Sequence, residues 1–278
     1  MSQTPSEIPD DVAFHVIVEA SVLKEIVEPP VKLASDQTTN DKAANFRWSE
    51  SQLRVRTVDG SQIMMVEQTV PSSSFEHYDF RTSGEITFGT ACKRLDNLLK
   101  AADSDDLVEL RLDLETNRLN IQFADVSYSL AGVDTSTINE PDMPDLDHAV
   151  CASAHSSVFE RAHNVVGTIA DTLTFEAGDG SFRIYGAGDT DTAEVSPEVT
   201  LDQSNLQADG IDVFLETDGP SVQSQYSSDY LKDAVSFLPD DYVTVELNTE
   251  MPMRINANRA DARIPTEILV APRIDDPA

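Results

Sequence analysis

The sequence predicts an α+β fold built from two similar halves, on three observations: an internal repeat, a switch of hydrophobic period inside each copy, and an acidic, proline-bearing segment between them. Leu99-Lys100-Ala101-Ala102 leads into Asp105-Asp106-Leu107-Val108-Glu109-Leu110-Arg111-Leu112, and Leu231-Lys232-Asp233-Ala234 leads into Asp240-Asp241-Tyr242-Val243-Thr244-Val245-Glu246-Leu247. The second copy carries three extra residues at the turn between helix and strand. Repetition on this scale marks a duplicated unit and has to be read before anything else.

Each element follows from its period. Ala91 to Ala102 places Leu95, Leu98, Leu99 and Ala102 on one helical stripe, then Leu107 to Leu114 and Leu119 to Phe123 alternate as strands. Asn117 sits at the turn of that hairpin, and Tyr128 and Leu130 extend the sheet. In the second half Asp229 to Leu238 reads as helix, with strands at Tyr242 to Leu247 and Met253 to Ile255. Each half also opens with a strand feeding a helix: Phe14 to Val18 then Ser21 to about Leu33, and Ala149 to Ala152 then Ser156 to Ala170. Ser21 is the expected cap of the first helix, and Ser156 or Ser157 of the second. Pro29-Pro30 predicts that the first helix ends early, kinks or restarts, because an interior proline removes a helix hydrogen bond.

Val133 to Asp147, with Pro141, Pro144 and five acidic residues, reads as an extended connector. This gives an extension at 1–11, an N-terminal domain at 12–132, a connector at 133–147, a C-terminal domain at 148–274 and a tail at 275–278. Ser35 to Ala44 reads as a loop.

The chain has 278 residues, 19 basic against 50 acidic, a formal charge of -31 and 40% hydrophobic residues. That apolar content sets it apart from disordered acidic chains. Acid spread along the whole length points to a cytoplasm of molar salt, where the screening length falls to about 3 Å. Cys92 and Cys151 lack CxxC spacing and read as packing residues, and no apolar run approaches the length of a membrane helix. The expected location is cytoplasmic, with no membrane partner.

Catalytic signatures are missing: the five histidines make no HExxH, and neither GxSxG nor GxxxxGK[ST] occurs. Gly178-Asp179-Gly180 and Gly188-Asp189-Thr190-Asp191 lack the ordered ligands of a calcium loop and read as turns. No catalytic residue, metal site or cofactor is expected.

Several landmarks occur in a specific order. Arg56-Thr57-Val58-Asp59 is followed by Met65-Val66-Glu67-Gln68-Thr69-Val70, then Phe75-Glu76-His77-Tyr78, then Glu140-Pro141-Asp142-Met143-Pro144-Asp145-Leu146-Asp147, then Val270-Ala271-Pro272-Arg273-Ile274. From about Phe14 to Ile274 this resembles the sliding clamps of the proliferating cell nuclear antigen family. The resemblance implies two clamp domains, each an antiparallel sheet with two channel-lining helices, and a ring-shaped homotrimer around double-stranded DNA. It implies a non-enzymatic processivity factor that tethers DNA polymerase and other clamp-binding-peptide proteins and is opened by a clamp loader. The alternative is a clamp-fold interaction adaptor without stable encirclement.

On that resemblance the DNA channel would use Lys24, Lys32, Lys93, Arg94, Lys100, Arg161 and Lys232. The partner-peptide pocket would use Val58, Pro141, Met143, Pro252, Leu269, Ala271, Pro272 and Ile274. Subunit closure would use sheet edges at Ala124 to Leu130, through Val126, Tyr128 and Leu130, and at Tyr185 to Ser196, through Thr190, Thr192 and Glu194.

Overall fold

A computed structural model describes residues 12–34, 42–203, 212–217 and 219–273. The expected N-terminal extension and C-terminal tail, and most of the Ser35 to Ala44 loop, lie outside the described residues. In chain order the first half contains β1 (Val12–Glu19), α1 (Ala20–Leu33), β2 (Ala43–Trp48), β3 (Gln52–Val58), β4 (Met64–Pro71), β5 (His77–Phe80), β6 (Ile86–Ala91), α2 (Cys92–Leu99), β7 (Leu107–Asp113), β8 (Arg118–Phe123) and β9 (Val126–Ala131). The second half contains β10 (Val150–His155), α3 (Ser156–Val165), β11 (Thr172–Gly178), β12 (Ser181–Ala187), β13 (Thr192–Val195), β14 (Val199–Thr200), β15 (Val213–Thr217), β16 (Val222–Ser227), α4 (Ser228–Val235), β17 (Tyr242–Leu247), β18 (Met253–Asn258) and β19 (Ile264–Val270).

Contacts divide the chain into two compact units, 1–57 with 68–140, and 58–67 with 141–278. The tip of the β3–β4 hairpin therefore belongs to the second unit. Strand order is the same in both. The first unit has β5-β1-β7-β8-β9 and β4-β3-β2-β6; the second has β15-β10-β17-β18-β19, with β14 added beside β15, and β13-β12-β11-β16. The repeat read in the sequence is thus a repeat of topology.

The core of each unit is aromatic. In the first, Phe14 on β1 meets Trp48 on β2 at 4.3 Å between ring centroids, and Trp48 meets Phe75 at 6.0 Å. In the second, Phe175 on β11 packs on Phe159 of α3 at 6.3 Å and on Tyr226 of β16 at 5.5 Å. Buried phenols find acceptors, as they must: Tyr78 donates to the Ser49 carbonyl at 2.6 Å, and Tyr226 to that of Met251 at 3.0 Å.

The helices start differently from the sequence expectation. No serine side chain caps α1: its first N–H groups, on Ala20 and Ser21, donate to the carbonyls of Asp106 and Ser104 at 2.8 and 3.1 Å. In the second unit Ser156 N–H donates to the Asp241 carbonyl at 3.0 Å, and the His155 side chain, not a serine, accepts from Ser157 N–H. The acidic turn before β7 and β17 supplies the oxygens that free N–H groups of a helix start require.

Pro29-Pro30 does not break α1, which continues to Leu33 with both prolines buried. The reason lies on β4. A residue at 29 would donate to the Glu25 carbonyl; Pro29 cannot, and Gln68 Nε2 donates there instead at 3.0 Å. Gln68 is 1% exposed, so its amide is committed to this task. Gln68→Leu is expected to cost about 1–3 kcal/mol, the penalty of a buried unpaired carbonyl, in denaturant melts. An unchanged midpoint would refute this account.

Candidate functional site

Asp59 organises the tip of the β3–β4 hairpin. Its Oδ1 accepts from the N–H groups of Ile63 and Met64, both at 2.7 Å, while Oδ2 accepts from Ser61 N–H at 2.8 Å and the Tyr230 hydroxyl at 3.0 Å. Burial and the Asp59 carboxylate keep the Tyr230 phenol above its ordinary pKa, hence a donor. The same tip meets the end of β19, where Ala271 N–H donates to the Ile63 carbonyl at 2.8 Å. On the other side of β19, the ladder with β18 sets Met253 opposite Val270 and Arg254 opposite Leu269. Pro252 is held through its carbonyl, 2.9 Å from His148 Nε2.

The second unit therefore gathers Pro252, Leu269, Ala271 and Pro272 around the turn that follows Val58. Val58 and Leu269 are buried, at 5% and 4% exposure, so they act as floor, whereas Pro252, Ala271 and Pro272 are half-buried. Pro141 and Met143 are also half-buried within an extended stretch. Ile274 lies outside the described residues. Sequence reasoning missed Asp59, Tyr230 and His148 as supports; only the Asp59-Gly60 turn pair signalled any of them.

Neighbouring polar side chains are tied to one another. Arg254 bridges Glu246 and Glu267, both at 2.9 Å, and Glu246 also lies 3.0 Å from His148 Nδ1. Cys151 lies 3.5 Å from Glu216, and burial together with that carboxylate pushes its thiol up to about 12.

The basic candidates are mostly paired. Lys24 was expected in a channel, but its Nζ donates to the Ala102 carbonyl at 2.8 Å, tying α1 to the turn after α2. Lys32 pairs with Glu28 at 2.8 Å, and Asp96 is shared by Lys93 at 3.7 Å and Lys100 at 3.1 Å. Arg161 pairs with Asp212 at 2.8 Å; Arg94 and Lys232 are exposed. Across α1 to α4 six basic side chains face six acidic ones, whereas the rest of the chain has thirteen against forty-four. Taken together the four helices are neutral, in a strongly negative molecule.

At the expected edges, β9 ends the five-stranded sheet of the first unit and β13 ends the four-stranded sheet of the second. Val126 and Tyr128 are accessible, but Leu130 is 1% exposed and belongs to the core. The edge expected at Tyr185 to Ser196 is narrower: Tyr185 lies in β12, an inner strand, Thr190 lies in the loop before β13, and only β13 with Thr192 and Glu194 is the edge. Alternation alone could not tell the inner strand from the outer.

The family description "Proliferating cell nuclear antigen, N-terminal domain" matches residues 15–137. A DNA polymerase sliding clamp of Natronomonas pharaonis is 32% identical over 94% of this chain and 98% of its own. The chain belongs to the proliferating cell nuclear antigen family of sliding clamps. A DNA polymerase sliding clamp of Halobacterium salinarum, 30% identical over 94% of this clamp and 98% of its own length, agrees. The structure described as the C-terminal region of FEN-1 bound to A. fulgidus PCNA is 27% identical with a TM-score of 0.79, over 95% of this clamp and all of that chain. PCNA of Thermococcus kodakaraensis, at 20% identity, TM-score 0.77 and 94% coverage of this clamp, shares the fold. The clamp is thus a DNA polymerase sliding clamp, and among its described residues no helix is long and apolar enough to cross a membrane.

Proposed function

We propose that three copies of the chain close into a ring around double-stranded DNA, with α1 to α4 toward the duplex. The ring acts without catalysis, in a cytoplasm of molar salt, and the domain limits are those expected above except that the hairpin tip at 58–67 goes with the second unit. The neutrality of the helices carries this reading: in a chain with 31 excess acids the four helices together hold as many basic as acidic side chains, and carboxylates are least welcome beside phosphates. Phosphate affinity falls steeply with salt, so topology, not adhesion, would hold the ring on DNA. Lys32, Lys93, Arg94, Lys100, Arg161 and Lys232 would be the side chains nearest the backbone.

Ring closure would pair β9 of one copy with β13 of the next, a head-to-tail contact that closes. Partners such as DNA polymerase, the clamp loader and other clamp-binding-peptide proteins would insert an apolar plug between the connector and Pro252, Leu269, Ala271 and Pro272, with Val58 beneath. The FEN-1 complex of the A. fulgidus relative supports a peptide-binding role.

The test is retention on plasmid in molar salt after loading by a clamp loader with ATP. The ring should stay on circular DNA and leave within minutes of linearisation, and in free solution its mass should be three times 30.4 kDa. Equal loss from circular and linear DNA would support an adaptor instead.

A further inference from the structure

The connector is not a free span of fifteen residues. At its start Val133 N–H donates to the Gly89 carbonyl on β6 at 2.8 Å, and a Cβ on Gly89 would meet the Val133 oxygen at 2.2 Å, so only glycine admits this approach. Seven residues later comes a second fastening, on β2. Glu140 accepts from Arg47 Nε at 2.8 Å and Nη2 at 2.9 Å in a two-pronged fork, and from Asn45 Nδ2 at 2.8 Å. Its side chain is only 5% exposed. Arg47 is steadied from behind by Glu85 at 3.2 Å, which also reaches Arg54 at 3.5 Å. Burial alone would raise the Glu140 pKa; the Arg47 and Asn45 donors outweigh it and hold the carboxyl below its ordinary value.

The far end is fastened as well. Asn248 Nδ2 donates to the Asp147 carbonyl at 2.9 Å, and Ala149 N–H to that of Leu247 at 3.0 Å. Between these anchors remain Pro141 to Leu146, the stretch that carries both connector residues assigned to the partner groove.

We propose that Glu140 is a positioning residue for partner binding: its grip on Arg47 and Asn45 fixes the origin of the Pro141 to Leu146 span and so pre-sets Pro141 and Met143 for the incoming peptide. The inference rests on the groove reading above. Ordering backbone costs about 1–2 kcal/mol per residue, and a segment ordered in advance spares the complex that cost. A fork whose carboxylate is buried and whose guanidinium is half-buried suits molar salt, because exposed pairs are screened more than sheltered ones.

The experiment compares the wild-type clamp with Glu140→Gln and with Ala271→Arg, which obstructs the groove itself. A fluorescent peptide with an aromatic, apolar clamp-binding sequence is titrated in molar salt, and amide exchange is followed at residues 142, 143, 145 and 146. Glu140→Gln should weaken the peptide roughly tenfold, mainly through dissociation, and speed exchange at 142, 143, 145 and 146 with the clamp still folded in molar salt. Ala271→Arg should abolish binding and leave that exchange alone. Unchanged affinity in Glu140→Gln, with binding lost in Ala271→Arg, overturns the positioning role. Binding that survives Ala271→Arg overturns the groove reading instead; unaltered exchange in Glu140→Gln then overturns the fastening independently.

Discussion

Transfer from molar to about 10 mM salt is expected to lower the melting temperature by roughly 10 °C or more. Two effects compete. Dilution strengthens exposed pairs such as Lys32 with Glu28 and Lys100 with Asp96, each worth about 0.3–0.5 kcal/mol. It also lengthens the screening distance from about 3 Å to about 30 Å, so that like charges about 10 Å apart repel by roughly 0.4 kcal/mol per pair. With an excess of 31 acids, repulsive pairs far outnumber the attractive ones. Exposed Asp103, Asp105, Asp142, Asp145, Asp147, Asp189 and Asp191 contribute where the chain turns or runs extended. Repulsion wins, and the sign follows: salt stabilises. Thermal melts by circular dichroism across a potassium chloride series check this, and a flat or rising curve on dilution would contradict it.

Trp48→Ala is expected to remove about 3–5 kcal/mol, the usual cost of emptying a large aromatic site. Trp48 is 1% exposed and lies on β2, opposite Leu53 on β3 and Ile86 on β6. Its ring touches Phe14 from the five-stranded sheet and stands 6.4 Å from Tyr78. The side chain thus packs between β2 and β1 in the first unit. Denaturant melts followed by circular dichroism measure the loss; a change below about 1 kcal/mol would show that the site collapses around the gap. Trp48 is the single tryptophan, so fluorescence of the wild type reports unfolding of this unit in particular.

Much of the fold was legible because its signals are local. Alternation placed strands at Leu107 to Leu114 and Tyr242 to Leu247, which the structure has at Leu107–Asp113 and Tyr242–Leu247, and Asn117 does take the positive φ of 50° that a hairpin turn requires. What escaped was set by partners distant in sequence. Helix survival through Pro29-Pro30 depends on Gln68, and the start of α1 depends on carbonyls near Asp106. The burial of Leu130 and the inner place of Tyr185 depend on strand order, which alternation does not encode. Among the functional candidates, residue types showed both the lysines and the acid at Asp96 that dilutes them, but not the pairing of Lys32 with Glu28, although i,i+4 spacing does announce it. Glu140 stood among five acids of the connector, and nothing in that run marked it as the one held by Arg47.

The allotment of residues 58–67 to the second unit limits how the two repeats can be produced apart. A recombinant fragment beginning at Pro141 would carry β19 without the Ile63 carbonyl that receives Ala271, and Tyr230 without Asp59. Although duplicated in plan, the halves are not interchangeable cassettes: severing the chain at the connector would leave the C-terminal piece missing part of its own wall.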